Sequence, residues 1–193
     1  VELGLLGIKN IDLPQKLHRR TKAKRIRERK RVLGRSIEER PESVDSREEF
    51  GHWEIDEVIG RKSDKDKVLL TMVERKTRNL CVLRLADKSS RSLMEAFQRM
   101  EDELGQAFPK VFRSITADNG AENSMLAEVE SVTGTPVYFT HPYTSCEKGT
   151  IENHNGLIRR FLPKGKRIDS YDEDTILGVE LWANGLPRKI LGY

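Results

Sequence analysis

Asp56, Asp118 and Glu152 are three carboxylates separated by 62 and 34 residues, and each falls where a rigid element would hold it. Asp56 lies inside the alternating stretch 53–59, which sets Glu54, Asp56 and Val58 on one strand face and Trp53, Ile55 and Ile59 on the other. Asp118 follows the apolar run 111–116 in Thr116-Ala117-Asp118-Asn119-Gly120. A strand that ends this way ahead of a helix presents its aspartate at the carboxyl edge of a sheet. A plain Asx turn is the alternative reading of the same residues. Glu152 sits early in the helix-spaced stretch 149–161. Hard oxygen ligands drawn from such distant positions suit magnesium or manganese. Two divalent ions roughly 3.5–4 Å apart would activate an attacking oxygen and stabilise a leaving one in phosphoryl transfer.

Around Glu152 the helical spacing arranges further chemistry. At 100° per residue Ile151, Ile158 and Leu162 share a narrow apolar arc, widened by Leu157 and Phe161, and this is a core face. Glu152, Asn155, Gly156 and Arg159 follow i, i+3, i+4, i+7 on the neighbouring flank. An acid, an amide, a residue without side chain and a guanidinium in one row could hold a cation and a phosphate together, whereas an ordinary solvated helix face is the bland alternative. Lys148 and Arg159 flank the acid as neutralisers of phosphate charge. Asn155 and Arg160 join them as candidate DNA contacts.

The elements that must position these groups read as α/β. Strands are expected over 53–59, 68–73 and 80–85, joined by short turns and so antiparallel. A helix capped by Ser89 or Ser90 follows, with Leu93, Met94, Phe97, Met100 and Leu104 on its core stripe. Then come a strand over 111–116, a helix over about 121–131, a strand over 136–139, the helix bearing Glu152, and a last helix over about 172–182. Residues 34–50, with Pro41 and many acids, read as an extended connector.

The chain has 193 residues, 34% charged and 36% hydrophobic, enough for one sizeable core. No apolar run reaches the roughly 18 residues of a membrane span, and a cytoplasmic, nucleoid-associated setting is the expectation. Cys81 and Cys146 lack any paired spacing, which argues against a zinc site or a disulfide framework. The charge is asymmetric. Residues 16–35 hold eleven Lys/Arg against Glu28 alone, a net +10, so the rest carries −6 within the total of +4. A basic arm on a mildly acidic body attaches electrostatically to a polyanion, and Lys22, Lys24, Arg25, Arg27, Arg29, Lys30 and Arg31 are the candidate DNA-binding residues within it. The organisation expected is an arm and linker over 1–45 and a catalytic core over 46–193.

Four motifs carry a family resemblance. His52-Trp53-Glu54 with Asp56, Thr116-Ala117-Asp118-Asn119-Gly120, His141-Pro142-Tyr143, and Gly149-Thr150-Ile151-Glu152-Asn153-His154-Asn155-Gly156-Leu157-Ile158-Arg159 together resemble the catalytic core of DDE transposases of bacterial insertion sequences, the IS30 family among them. The resemblance covers nearly all of 34–193, and its last motif is the most specific. It implies a ribonuclease-H-like, integrase-type core with a mixed five-stranded sheet flanked by helices. It also implies Asp56, Asp118 and Glu152 as catalytic and metal-binding triad for two magnesium or manganese ions. The activity implied is strand cleavage and strand transfer at inverted-repeat ends, with transposon and target DNA as partners and a homo-oligomer on DNA. Ala121-Glu122-Asn123, where such enzymes carry an aromatic, and Cys146, where many have tryptophan, depart from the pattern without touching the triad. The chain reads as a fragment, since the helix-turn-helix segments of such enzymes are not found in it.

Two other functions compete: a ribonuclease-H-like nuclease that cuts without joining, and a catalytically silent DNA-binding or assembly module. Glu54 reads as a solvated strand acid, with metal ligation or a supporting role as its alternatives. Glu57, Asp64 and Asp66 read as edge and turn charges, Glu122 as a helix-dipole partner, and Trp53 and Trp182 as core. His141 and His154 read as structural hydrogen-bonding groups or as proton shuttles.

Overall fold

The alternation in the first long strand decides the architecture, because it carries apolar residues on both faces and must be covered twice. The computed structural model describes residues 33–61, 66–120, 123–141, 145–188 and 191–192. The basic arm residues Lys22 to Arg31, Asp64, Glu122 and the side chain of Cys146 lie outside this part. Six strands form one mixed sheet: β1 (Arg35–Ser36), β2 (His52–Ile59), β3 (Val68–Glu74), β4 (Leu80–Leu85), β5 (Ser114–Ala117) and β6 (Val137–Phe139). Their spatial order is β1-β6-β5-β2-β3-β4. Short connections make β2, β3 and β4 an antiparallel meander. β5 returns parallel to β2, and β6 and β1 extend the parallel half.

Each sheet face buries its own core. Trp53, Ile55, Leu70 and Met72 face α2 (Ser90–Leu104), where they pack with Leu93 and Phe97. Ser89 caps that helix, its side chain accepting from the Ser92 amide. Val58, Leu69, Val73 and Leu80 face the other way, against α5 (Gly149–Ile158) and α6 (Glu173–Asn184), where Ile151, Ile158, Leu162, Ile176 and Val179 close the second core. Trp53 is core as expected, while Trp182 is partly buried and meets the exposed Phe161 edge-on.

The structure corrects the expectation in several places. The sheet has a sixth strand, β1, pairing with β6. Residues 34–50 are no extended connector: a capped 3-10 turn at Ile37–Glu39 and α1 (Glu42–Ser46) bury Val44 against the body. The packed body thus takes in residues ahead of position 46. β5 starts at Ser114, because α3 (Phe108–Val111), with Pro109 in its first turn, precedes it and feeds Phe108 and Phe112 into an aromatic cluster with Trp53. The helix after Asp118, α4, runs only over Leu126–Thr133, and Asn123 ahead of it folds back to bond Asp118. Asp66 is buried and accepts from the amides of Arg61, Ile168 and Asp169, so it anchors a loop rather than standing at a turn surface.

Candidate active site

β2 and β5 are adjacent and parallel, with Glu54 in register with Thr116. Two residues further on lie Asp56, inside β2, and Asp118, just past the end of β5, so strand register sets these carboxylates side by side where β5 ends. The Lys148 ammonium lies between them, 3.2 Å from Asp56 Oδ1 and 3.8 Å from Asp118 Oδ2, and it donates to the Ile55 carbonyl at 3.1 Å. Lys148 is buried. Its expected role as a surface contact to DNA phosphate is therefore corrected: the ammonium offsets the repulsion of two neighbouring acids.

The other oxygens of both aspartates are held as well. Asn155 donates from Nδ2 to Asp56 Oδ2 at 2.7 Å, while its own Oδ1 accepts from the Thr71 hydroxyl at 3.0 Å. An amide engaged at both ends positions Asp56, and this replaces its expected part in a DNA-facing row. Asp118 Oδ1 accepts from the Gly120 amide at 3.1 Å and from Asn123 Nδ2 at 2.6 Å. The turn reading of Asp118 thus holds, with one oxygen forming the turn and the other facing Lys148.

Glu152 is exposed on α5, one turn before Asn155, and makes no hydrogen bond or ion pair among the described residues. Asp56 and Asp118 are brought together; Glu152 lies on α5, the helix whose Asn155 bonds to Asp56. Among the described residues no three His, Cys, Asp or Glu side chains are clustered closely enough to hold a metal ion. The donor chemistry nevertheless suits a hard divalent cation, because two fixed carboxylates already accept a positive charge between them.

Beneath the site lies a network that sequence reasoning missed. Glu54 is fully buried rather than solvated. Its Oε1 accepts from Arg75 Nη1 at 2.7 Å and its Oε2 from the Ile151 amide at 2.9 Å, in the first turn of α5. Arg75 is itself buried and also donates to the Val44 carbonyl and to Asp45, which Arg40 grips too. Nothing local announces a pair 21 residues apart. Only the register of β2 on β3 brings position 54 near the end of β3.

Arg159 donates to the Ile59 carbonyl at 2.7 Å and to that of Leu162 at 3.4 Å, so its guanidinium ties the end of α5 to the end of β2. Burial lowers its pKa, with Asp56 acting in the opposite sense. This tether is a different task from the phosphate grip expected of it. Arg160 is exposed, and a Cβ built at Gly156 would meet nothing within 4 Å, so that strip of α5 is open. His154 is buried and structural, with Nδ1 at 2.8 Å from the Thr150 carbonyl and Nε2 at 3.1 Å from that of Arg78. His141 pairs with Glu147 at 2.8 Å.

A mixed sheet of this order, carrying paired acids where its central parallel strand β5 ends, is a ribonuclease-H-like core of the integrase type. A solved catalytic core domain of BIV integrase shares the fold with a TM-score of 0.50 at 12% identity, covering 72% of this chain and 86% of that one. No family model matches the sequence. The probable transposase for insertion-like sequence element IS1161 of Streptococcus salivarius is 42% identical over 193 residues, 100% of this chain and 54% of its own length. Transposase InsI for IS30C of Escherichia coli strain K12 is 36% identical over 162 residues, 84% of this chain and 41% of its own. The chain is a homologue of IS30-family insertion-sequence transposases, and it spans about half the length of the curated relatives it matches.

Proposed function

We propose that this chain is the catalytic core of a DNA transposase, cutting and joining strands at the inverted-repeat ends of an insertion sequence. The observation that carries the reading is the pair Asp56 and Asp118, set side by side by adjacent parallel strands and already sharing a cation, in a chain homologous to transposases. Asp56, Asp118 and Glu152 are the residues that would hold magnesium or manganese. The ions, when bound, supply activation of the attacking oxygen and charge stabilisation of the leaving one. The chain's own part is orientation. Asn155 fixes one oxygen of Asp56, and Asn123 with the Gly120 amide fixes one of Asp118, so neither acid has to be ordered when substrate arrives. Lys148 keeps the two acids together until a stronger cation competes for them.

DNA would approach over the open strip of α5 at Gly156 and Arg160. The basic residues over 16–35 would supply sequence-independent affinity as an arm ahead of the core, and assembly as a homo-oligomer on DNA belongs to the same reading. Among the described residues no helix is long and apolar enough to cross a membrane.

The test uses a linear duplex carrying the element's ends, with magnesium or manganese. Asp56→Asn, Asp118→Asn and Glu152→Gln should each abolish cleavage and joining while leaving the melting temperature and DNA affinity near wild type. Because the three share one task, their effects should be non-additive. Wild-type turnover in any one variant removes that residue from the triad, and cleavage without joining in wild type favours the nuclease. Neither reaction under any divalent ion leaves a binding module.

A further inference from the structure

On the flank of α5 away from Glu152 and Asn155 there is a cavity of about 450 Å³ lined by Arg47, Arg78, Gly149, Thr150, Asn153, His154 and Arg188. At 100° per residue Thr150 and His154 share one side of the helix, whereas Glu152, Asn155 and Gly156 share the other. No acid lines the cavity. The nearest carboxylates are spent elsewhere: Glu54 on Arg75 and the Ile151 amide, Glu74 on the amides of Gly51, Lys76 and Thr77.

Three features converge on an anion. The cavity is lined by the guanidiniums of Arg47, Arg78 and Arg188, the last of which also donates to the Ala183 carbonyl. Arg78 is 8% exposed, and although its Nη1 donates to the Thr150 hydroxyl at 2.7 Å, its buried Nε has no acceptor among the described residues. An unsatisfied buried donor of this kind is costly to the fold and is relieved by an acceptor. Third, the cavity is lined by Gly149 and Thr150 in the first turn of the ten-residue helix α5, where the dipole favours negative charge; the N-cap residue makes no side-chain bond there, and Glu54 takes the Ile151 amide alone. In agreement, burial and then the charge of Arg47 pull the Arg78 pKa below its ordinary value, strain that a bound anion relieves.

The geometry points to a phosphate site in this cavity, whose ligand is a backbone phosphodiester of DNA. Guanidinium forks match phosphate oxygens bidentately. The assignment of DNA rests on the proposed function, because the same helix carries Glu152 on its other flank. One α5 helix would then hold a DNA strand from two sides, at the carboxylates and at this cavity.

Two measurements test it in the intact chain. Inorganic phosphate is titrated into nitrogen-labelled protein while the Arg78 Nε–H and the Gly149 and Thr150 amide resonances are followed; saturable shifts at these three are expected. Duplex affinity is then measured against salt for wild type, Arg47→Gln and Arg188→Gln, with melting temperatures as a control on folding. Each lost phosphate contact should flatten the slope of log affinity against log salt by about 0.9. Absence of phosphate shifts overturns the site. Phosphate shifts with unchanged slopes overturn the DNA assignment and leave a site for a free phosphorylated ligand. A wild type that binds no duplex also overturns that assignment, together with the transposase reading. Loss of cleavage in Asp118→Asn with an intact phosphate response separates the failure of one site from that of the other.

Discussion

Arg75→Met tests whether the buried pair under the site holds the site in place. Methionine keeps most of the volume of the side chain and removes its charge. Glu54 would keep its bond from the Ile151 amide but lose its ion pair, while the Val44 carbonyl and Asp45 would lose donors. The Glu54 and Arg75 side chains are 1% and 4% exposed, so solvent does not screen the loss. Removing one partner of such a pair costs about 3–5 kcal/mol, a large part of the 5–15 kcal/mol typical of a folded domain. At a urea slope of about 2–3 kcal/mol per molar, the midpoint should fall by roughly 1–2.5 M. Adding Glu54→Leu removes the stranded charge. The double variant should recover about half the loss: the stranded charge is gone, while the Val44 carbonyl and Asp45 still lack their donor and the Ile151 amide lacks its acceptor, the last at a cost of about 1–3 kcal/mol. Urea melts of the four proteins give the coupling energy directly. A loss under about 1 kcal/mol in Arg75→Met, or losses that simply add in the double variant, would refute the reasoning.

Lys148→Met leaves Asp56 and Asp118 facing each other. Because these side chains are 29% and 43% exposed, the loss should be only about 1–2 kcal/mol. Manganese should raise the melting temperature of this variant more than that of wild type, since at a hundred times its dissociation constant a bound ion stabilises by about 2.7 kcal/mol and the variant binds it without lysine competing; equal shifts in both proteins would show that lysine and metal do not compete. Burial lowers the His52 imidazole below its ordinary 6.5, with Glu49 partly opposing. The folded state therefore holds it neutral, so its contribution is complete above about pH 6.5 and declines as the pH falls below that value. Urea midpoints between pH 7 and pH 5 should drop less steeply in His52→Gln, and parallel curves would argue against it. Burial pushes the Cys81 thiol up to about 11. With Cys146 replaced by serine, iodoacetamide at pH 8 should label Cys81 roughly a hundredfold more slowly in the folded protein than in urea, as mass spectrometry would read.

What the sequence displayed depended on the range of the signal. Alternation over 53–59 placed Asp56 and separated the two core faces, because a strand's period of two is local. The acid-bearing helix and its core arc were legible for the same reason. Side-chain commitments were not. Lys148, Asn155 and Arg159 group as phosphate contacts on spacing alone, because they lie close to Glu152 in sequence. Their partners, Asp56, Thr71 and Ile59, lie on strands more than eighty residues away and meet them only through the sheet. Glu54 looked solvated because its counter-ion arrives from the far end of β3. The two-residue strand β1 was invisible, since two residues establish no period at all.

The stitching of α5 to β2 has a consequence for motion. Glu54 fastens the first turn of the helix, Asn155 its middle and Arg159 its end, and all three bonds run to or from one strand, the one that carries Asp56. The two elements therefore form one cooperative opening unit, whose amides should exchange with solvent at a common free energy rather than fraying from the helix ends. Thermal fluctuation cannot carry Glu152 away on a loosened helix while Asp56 stays ordered, so the acids are kept or lost together.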